Sequence, residues 1–185
     1  MIKNFIGHLK TVLKHKRCVA HYCFMCRLYK QGILHDMSKF SPTEFWESVK
    51  YWQGTRSPID ACKEDNGYSM AWFHHKGRNK HHWEYWMDDF EKGFIPKKMP
   101  FKYALEMMCD YLGAGRAYYG DKFSIEAEYE WWQNKRQLVI NKMHNDTFKL
   151  IDTLFNAMNK HGIEAVLKNR RYINKLHRRY DKGTL

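Results

Sequence analysis

The chain has 185 residues, enough for one compact domain that buries about two-thirds of its unfolded surface without help from disulfides or oligomerisation. Its five cysteines, Cys18, Cys23, Cys26, Cys62 and Cys109, form no even-numbered framework of the secreted type, which points to a reducing cytoplasm. The formal net charge of +12 excludes an acidic surface and favours anionic partners.

Ile6, Leu9, Val12 and Leu13 recur at helical spacing and predict a first helix starting near residue 2. A second helix is expected from about Cys18 to Lys30, ending near Gly32. There the i, i+3 spacing of Cys23 and Cys26 reads as two small apolar residues on one face, since no second pair follows to complete a zinc knuckle. Ser41-Pro42-Thr43-Glu44 is a helix start, with Ser as cap, Pro in the first turn and Glu reaching back as a capping box; Ser57-Pro58 repeats the signal. Pro100 opens another helix with Phe101, Ala104, Leu105, Met108 and Leu112 on one stripe. Ser124 caps a long helix through Trp131 and Val139. Phe148, Ile151, Leu154, Phe155 and Met158 mark a further one closed by Gly162, and a last basic helix is expected from Ile163 to about Tyr180. No stretch alternates with period two. The expectation is an all-α single domain over 1–185, with a core over roughly 1–120 and C-terminal helices over 124–180.

No apolar run approaches the ~20 residues of a membrane span. Lys3, His8, Lys10, Lys14 and His15 interrupt any signal-peptide core. Residues 1–35 carry seven lysines and arginines and no acid, and residues 168–182 carry seven more against Asp181 alone. These two positive ends, on a nearly neutral middle, either hold phosphates, nucleic acid or an acidic membrane surface, or are solvated helix faces.

Histidine is the informative anomaly. Eleven occur, several of them beside acids. In the segment GILHDMSKFSPTEF, the imidazole of His35 and the carboxylate of Asp36 can converge on one ion, and this N/O pairing suits Fe, Mn, Co, Ni or Zn. Lys39, one turn later, can hold a substrate phosphate beside that ion. The segment AWFHHKGRNKHHWEYW holds His74, His75, His81, His82 and Glu84. On one continuous helix His74 and His81 would lie roughly 10 Å apart along the axis, too far to share an ion whose ligand bonds are about 2 Å. A bend at Gly77-Arg78-Asn79, with glycine supplying the unusual backbone, would let one His of each doublet reach the cavity of His35 and Asp36.

His15, the pair His35-Asp36 with Lys39, the histidine-rich segment and Asp110 in a later helix together resemble the HD superfamily of metal-dependent phosphohydrolases. That pattern is a His, a His-Asp pair, optional further His residues and a distant Asp on a helical bundle. HDMSKFSPTEF and AWFHHKGRNKHHWEYW are also similar to motifs of a family of unknown function from bacteria and their phages, over most of residues 1–120. The superfamily resemblance implies a helical bundle of HD-domain type. It also implies His15, His35, Asp36 and Asp110 as a basic ligand set for one divalent transition metal, with one His from 74–75 and one from 81–82 added for a second ion. The His15 to His35 spacing is short for the superfamily, which leaves His8 and His21 as alternatives to His15. Asp110 falls opposite the apolar stripe of its helix, so that helix is either buried all round or leaves Asp110 solvated. The implied activity is hydrolysis of a phosphate ester, of a nucleotide or nucleic acid, with Lys39 and Arg78 neutralising charge on the phosphate and Glu84 or a free His moving the proton. Two rivals share the ligand set: a di-iron oxygenase, and a nucleic-acid-binding module with a structural metal.

Overall fold

The computed structural model describes residues 1–91 and 93–185. Nothing between Ile2 and Met25 breaks a helix, since neither Pro nor a positive-φ Gly intervenes, and the chain forms one helix, α1 (Ile2–Met25). The two helices expected here are therefore one. A short helix α2 (Tyr29–Leu34) follows, then a 3-10 turn over Met37–Phe40 and α3 (Pro42–Tyr51), where the Ser41 hydroxyl accepts the Glu44 N–H as the cap signal implies. The helices α4 (Pro58–Asn66) and α5 (Met70–Arg78) complete the first half. The carboxylate of Glu47 on α3 fixes the start of α5, accepting the Ser69 hydroxyl at 2.6 Å and the N–H groups of Met70 and Ala71.

A 3-10 turn over Trp83–Trp86 leads into a small antiparallel hairpin, β1 (Met87–Phe90) and β2 (Gly93–Pro96), with Met87 opposite Pro96. The sequence reading missed it, because MDDF carries no apolar alternation to signal a half-buried strand. Four further helices are α6 (Phe101–Tyr119), α7 (Ile125–Val139), α8 (Asn145–His161) and α9 (Ile163–Leu167), and the last is α10 (Arg170–Asp181). The single basic helix expected from Ile163 is thus two. The Asn169 side chain accepts the Tyr172 N–H and restarts the chain as α10.

The bundle is all-α apart from the hairpin, and its core is built where α1, α6 and α8 meet. Leu150, Ile151, Leu154, Phe155 and Met158 of α8 are all fully buried, each contributing about 1.5–3 kcal/mol, and Trp132 stacks on Phe155 at 5.1 Å. Gly113 decides how closely α6 can approach α1, since a Cβ there would stand 2.4 Å from the Val19 side chain and 2.9 Å from its backbone nitrogen. That close approach carries Asp110, one turn before Gly113, up to His15, one turn before Val19. Helix α6 is buried on nearly every side, including Glu106 and Cys109, which settles the alternative left open for Asp110. All five cysteines are free; Cys23 and Cys109 lie in the core and Cys26 packs against it. Among the described residues no helix is long and apolar enough to cross a membrane.

Candidate metal centre

His8, Val12 and His15 share one face of α1 and are all buried. Only His15 reaches the acids: its Nε2 lies 3.2 Å from Asp36 Oδ2 and 3.1 Å from Asp110 Oδ1. His8 packs its ring edge on Phe45 at 5.1 Å, and His21 is exposed. At the end of α2 the backbone takes a sharp turn, with Asp36 in the left-handed region at φ 54° and ψ 30°. Aspartate tolerates that region better than most residues, and its use here sends two successive side chains, His35 and Asp36, to one point. The Lys16 ammonium donates to the His35 carbonyl and holds the turn in place.

His35 Nε2 stands 3.4 Å from Asp36 Oδ2, 3.3 Å from Asp110 Oδ1 and 3.4 Å from His15 Nε2. Ligand atoms about 2.0–2.2 Å from a common ion are spaced about 2.8–3.6 Å from one another in tetrahedral or octahedral geometry. His15, His35, Asp36 and Asp110 therefore have the spacing of one buried metal site.

Asp36 uses its other oxygen for a second group. His75 Nε2 and His81 Nε2 lie 3.4 Å and 3.3 Å from Asp36 Oδ1, and His82 joins them, the four donor atoms all falling within 4.8 Å of one another. Asp36 Oδ1, His81 Nε2 and His82 Nε2 are buried with no hydrogen-bond partner. One such orphan costs about 1–3 kcal/mol, and three of them within one group of His and Asp donors make that group a possible metal site. Asp36 thus turns one carboxylate oxygen toward each group.

Two glutamates that the sequence reading did not assign to the site orient these imidazoles. Glu106 Oε1 takes His35 Nδ1 at 3.1 Å and His81 Nδ1 at 3.3 Å, one histidine from each group. Glu44 Oε2 takes His75 Nδ1 at 2.7 Å, and its Oε1 takes His74 Nδ1 at 2.6 Å. A carboxylate on Nδ1 fixes the tautomer and leaves the Nε2 lone pair for an ion. Glu44 is thus more than a capping residue, and His74, one residue from His75, turns to Glu44 and joins neither ligand group.

Burial and ion pairing together set the charge states of the cluster. Burial opposes the charge on Asp36, yet His35, Lys39 and His75 hold its pKa well below the ordinary carboxylate value. Burial likewise opposes ionisation of Asp110, and hydrogen bonds to His15 and His35 outweigh it. For His35, burial disfavours protonation but Asp36, Asp110 and Glu106 raise its pKa well above that of free imidazole. His82 goes the other way: burial, then the neighbouring His81 and His75, keep it neutral and ready to ligate.

Both doublets do reach one cavity, but the bend lies later than expected. Helix α5 runs through Gly77, whose φ is not positive, and the chain leaves the helix at Asn79, with ψ 107°. Asn79 Nδ2 donates to the His75 carbonyl at 2.8 Å and to Ser38 Oγ at 2.7 Å, so an amide side chain competing with the helix makes the break. Glu84 lies behind His82, 4.0 Å from its Nδ1, and belongs to neither ligand group. Arg78 is exposed and lines a groove of about 250 Å³ that also has Asp36, His81 and Glu106 on its wall, together with Lys30, Lys80 and Lys102.

Lys39 Nζ lies 2.6 Å from Asp36 Oδ2. Burial works against its charge, but Asp36 and Asp110 raise its pKa. It borders a cavity of about 210 Å³ whose wall includes His15, His75, His82 and Asp110. Glu84 and Arg78 do not line that cavity.

Residues 4–157 match the model of DUF5662, a family of unknown function, and the chain belongs to that family. No curated protein and no solved structure matches it.

Proposed function

We propose that this member of the family is a metal-dependent phosphohydrolase with a dinuclear centre of the HD type, acting on a phosphate ester. The observation that carries the reading is the set of three partnerless buried donors, Asp36 Oδ1, His81 Nε2 and His82 Nε2, beside a complete His15, His35, Asp36, Asp110 set, with a lysine on the wall of the adjoining cavity. His15, His35, Asp36 and Asp110 would hold one divalent ion and Asp36, His75, His81 and His82 a second, and the chemistry supplied would be a bound water of lowered pKa and withdrawal of charge from phosphoryl oxygens. Glu106 and Glu44 keep His35, His81 and His75 in the ligating tautomer, and Asp36 presents one oxygen to each group. The Lys39 ammonium sits where it can take up charge developing on the phosphate. Glu84 stands behind His82, with its carboxylate 4.0 Å from Nδ1, and does not itself line the cavity.

The test is metal analysis of protein purified without chelator or affinity-tag nickel, followed by phosphate release from simple esters before and after reloading. Two equivalents of metal and ester cleavage that follows occupancy support the reading; a metal-free, inactive preparation that cannot be reloaded removes it. A second reading, oxygen activation at a di-iron pair, draws on the three histidines of the second group and the apolar cavity wall. Oxygen uptake by anaerobically iron-loaded protein decides between them.

A further inference from the structure

We infer that the cavity selects small phosphomonoesters bearing one compact, uncharged organic group, and disfavours nucleotides and nucleic acid. The inference rests on the phosphohydrolase reading and narrows its substrate. The first argument is volume. About 210 Å³ lies below the ~300–1,000 Å³ of sites that enclose drug-sized ligands. A benzene ring or short polyol fits such a space, whereas a base with its ribose needs the larger class. The limits are set by side chains that point inward: Pro58 and Ile59 at the start of α4, Trp72 on α5, and Ala114, one turn beyond Asp110 on α6.

The second argument is charge. Among the described residues, Lys39 is the one lysine or arginine on the cavity wall. His8 does not add to it, because burial and then Lys39 bring its pKa down to about 4 and leave it neutral. The Glu44 carboxylate is occupied by His74 and His75. A single phosphate at the ligand groups would be matched by bound ions and Lys39, but a second phosphate directed at Pro58, Ile59 and Trp72 would meet no cation there, a costly burial of charge, since Lys3, Lys10 and Lys14 line a separate groove that adjoins the cavity at Thr11, Ala117 and Tyr118. In the reaction the oxygen of one water forms a bond to phosphorus, the bond from phosphorus to the ester oxygen breaks, and one water proton ends on the departing alcohol.

The experiment uses the full chain loaded with Mn²⁺ and compares phosphate release from phenyl phosphate, AMP and ATP, and p-nitrophenol release from bis(p-nitrophenyl) phosphate. Phenyl phosphate is expected to exceed AMP in kcat/KM by about tenfold or more, and ATP and the diester by roughly a hundredfold. Calorimetric binding of phenylphosphonate, which is not hydrolysed, provides a readout independent of turnover. It should weaken at least tenfold in Ala114→Phe, which fills the cavity, with metal content unchanged. Ile59→Phe serves the same purpose should Ala114→Phe fail to fold. Preference for AMP, ATP or the diester, or phenylphosphonate binding untouched by the filling variants, overturns the inference and leaves the hydrolase reading standing. Metal-loaded protein that cleaves none of the esters overturns the hydrolase reading itself.

Discussion

Glu106→Gln is the most discriminating single change, because one carboxylate oxygen serves both ligand groups. Glu106 is 5% exposed and accepts from His35 Nδ1 at 3.1 Å and His81 Nδ1 at 3.3 Å. Burial opposes its ionisation, yet the two histidines hold its pKa below the ordinary glutamate value, so it is an anion in the folded protein. Glutamine keeps the size but removes the charge that makes each imidazole a stronger ligand. Loss of such an orienting partner lowers metal affinity about 10–100-fold, or roughly 1.4–2.7 kcal/mol per ion. Both binding steps should weaken, since His35 lies in the first group and His81 in the second. Glu44→Gln, which touches only His75 among the ligands, should weaken one step alone. Calorimetric titration of metal-free protein with Mn²⁺ separates the two patterns, and circular dichroism checks that the helices persist. Wild-type affinity at both steps in Glu106→Gln would refute the argument that this carboxylate tunes two sites.

Much of this centre was legible because its ligands are unusual residues in unusual company. His35-Asp36, the doublets at 74–75 and 81–82, and Asp110 stand out by type and neighbourhood, and the caps at Ser41 and Ser124 are local patterns that need no tertiary information, although Ser57, read the same way, makes no side-chain cap bond. Glu44 and Glu106 were hidden for a physical reason. Each bonds histidines 25 or more positions away in the chain, and Glu44 also fits a capping pattern that accounts for it without any site. A trace of Glu106 was present: it stands one turn before Asp110, so two acids share one face of an otherwise apolar helix. The bend was misplaced because glycine permits a turn but does not compel one. Asn79, with a side chain that bonds the His75 carbonyl, supplies the driving force that Gly77 lacks. The division of the last basic segment into α9 and α10 turned on another asparagine cap, and neither is visible as a break in periodicity.

His35→Ala and Asp36→Ala should each lose bound metal while far-ultraviolet circular dichroism stays near wild type, since the apolar stripes of α6 and α8 supply the stability; metal content equal to wild type in both would rule out this centre. Lys39→Ala should retain metal but lower kcat/KM on a phosphate ester by about tenfold or more, the worth of one charged contact, and unchanged kinetics would remove Lys39 from the reaction. Neutralising the exposed Arg170, Arg171, Lys175, Arg178 and Arg179 of α10 should weaken polyanion binding and flatten its salt dependence with ester hydrolysis intact; unaltered affinity would make that helix a solvated face. A pH test concerns Glu128, which is 6% exposed and packed where Gly115 has no side chain, a Cβ there falling 2.0 Å from its Oε2. Burial raises its pKa from 4.5 to about 7. The folded chain then binds the proton more tightly than the unfolded chain, so the contribution of this group to stability is fully present below pH 4.5 and is lost as pH rises through about 7. A shift of that size is worth about 3 kcal/mol, taken as an order of magnitude. Urea unfolding of metal-free protein should therefore show Glu128→Gln gaining on the parent between pH 5 and pH 8, because the ligand histidines titrate in both proteins and cancel in the difference. A stability difference that does not change with pH would mean that Glu128 ionises as freely in the folded chain as in the unfolded one.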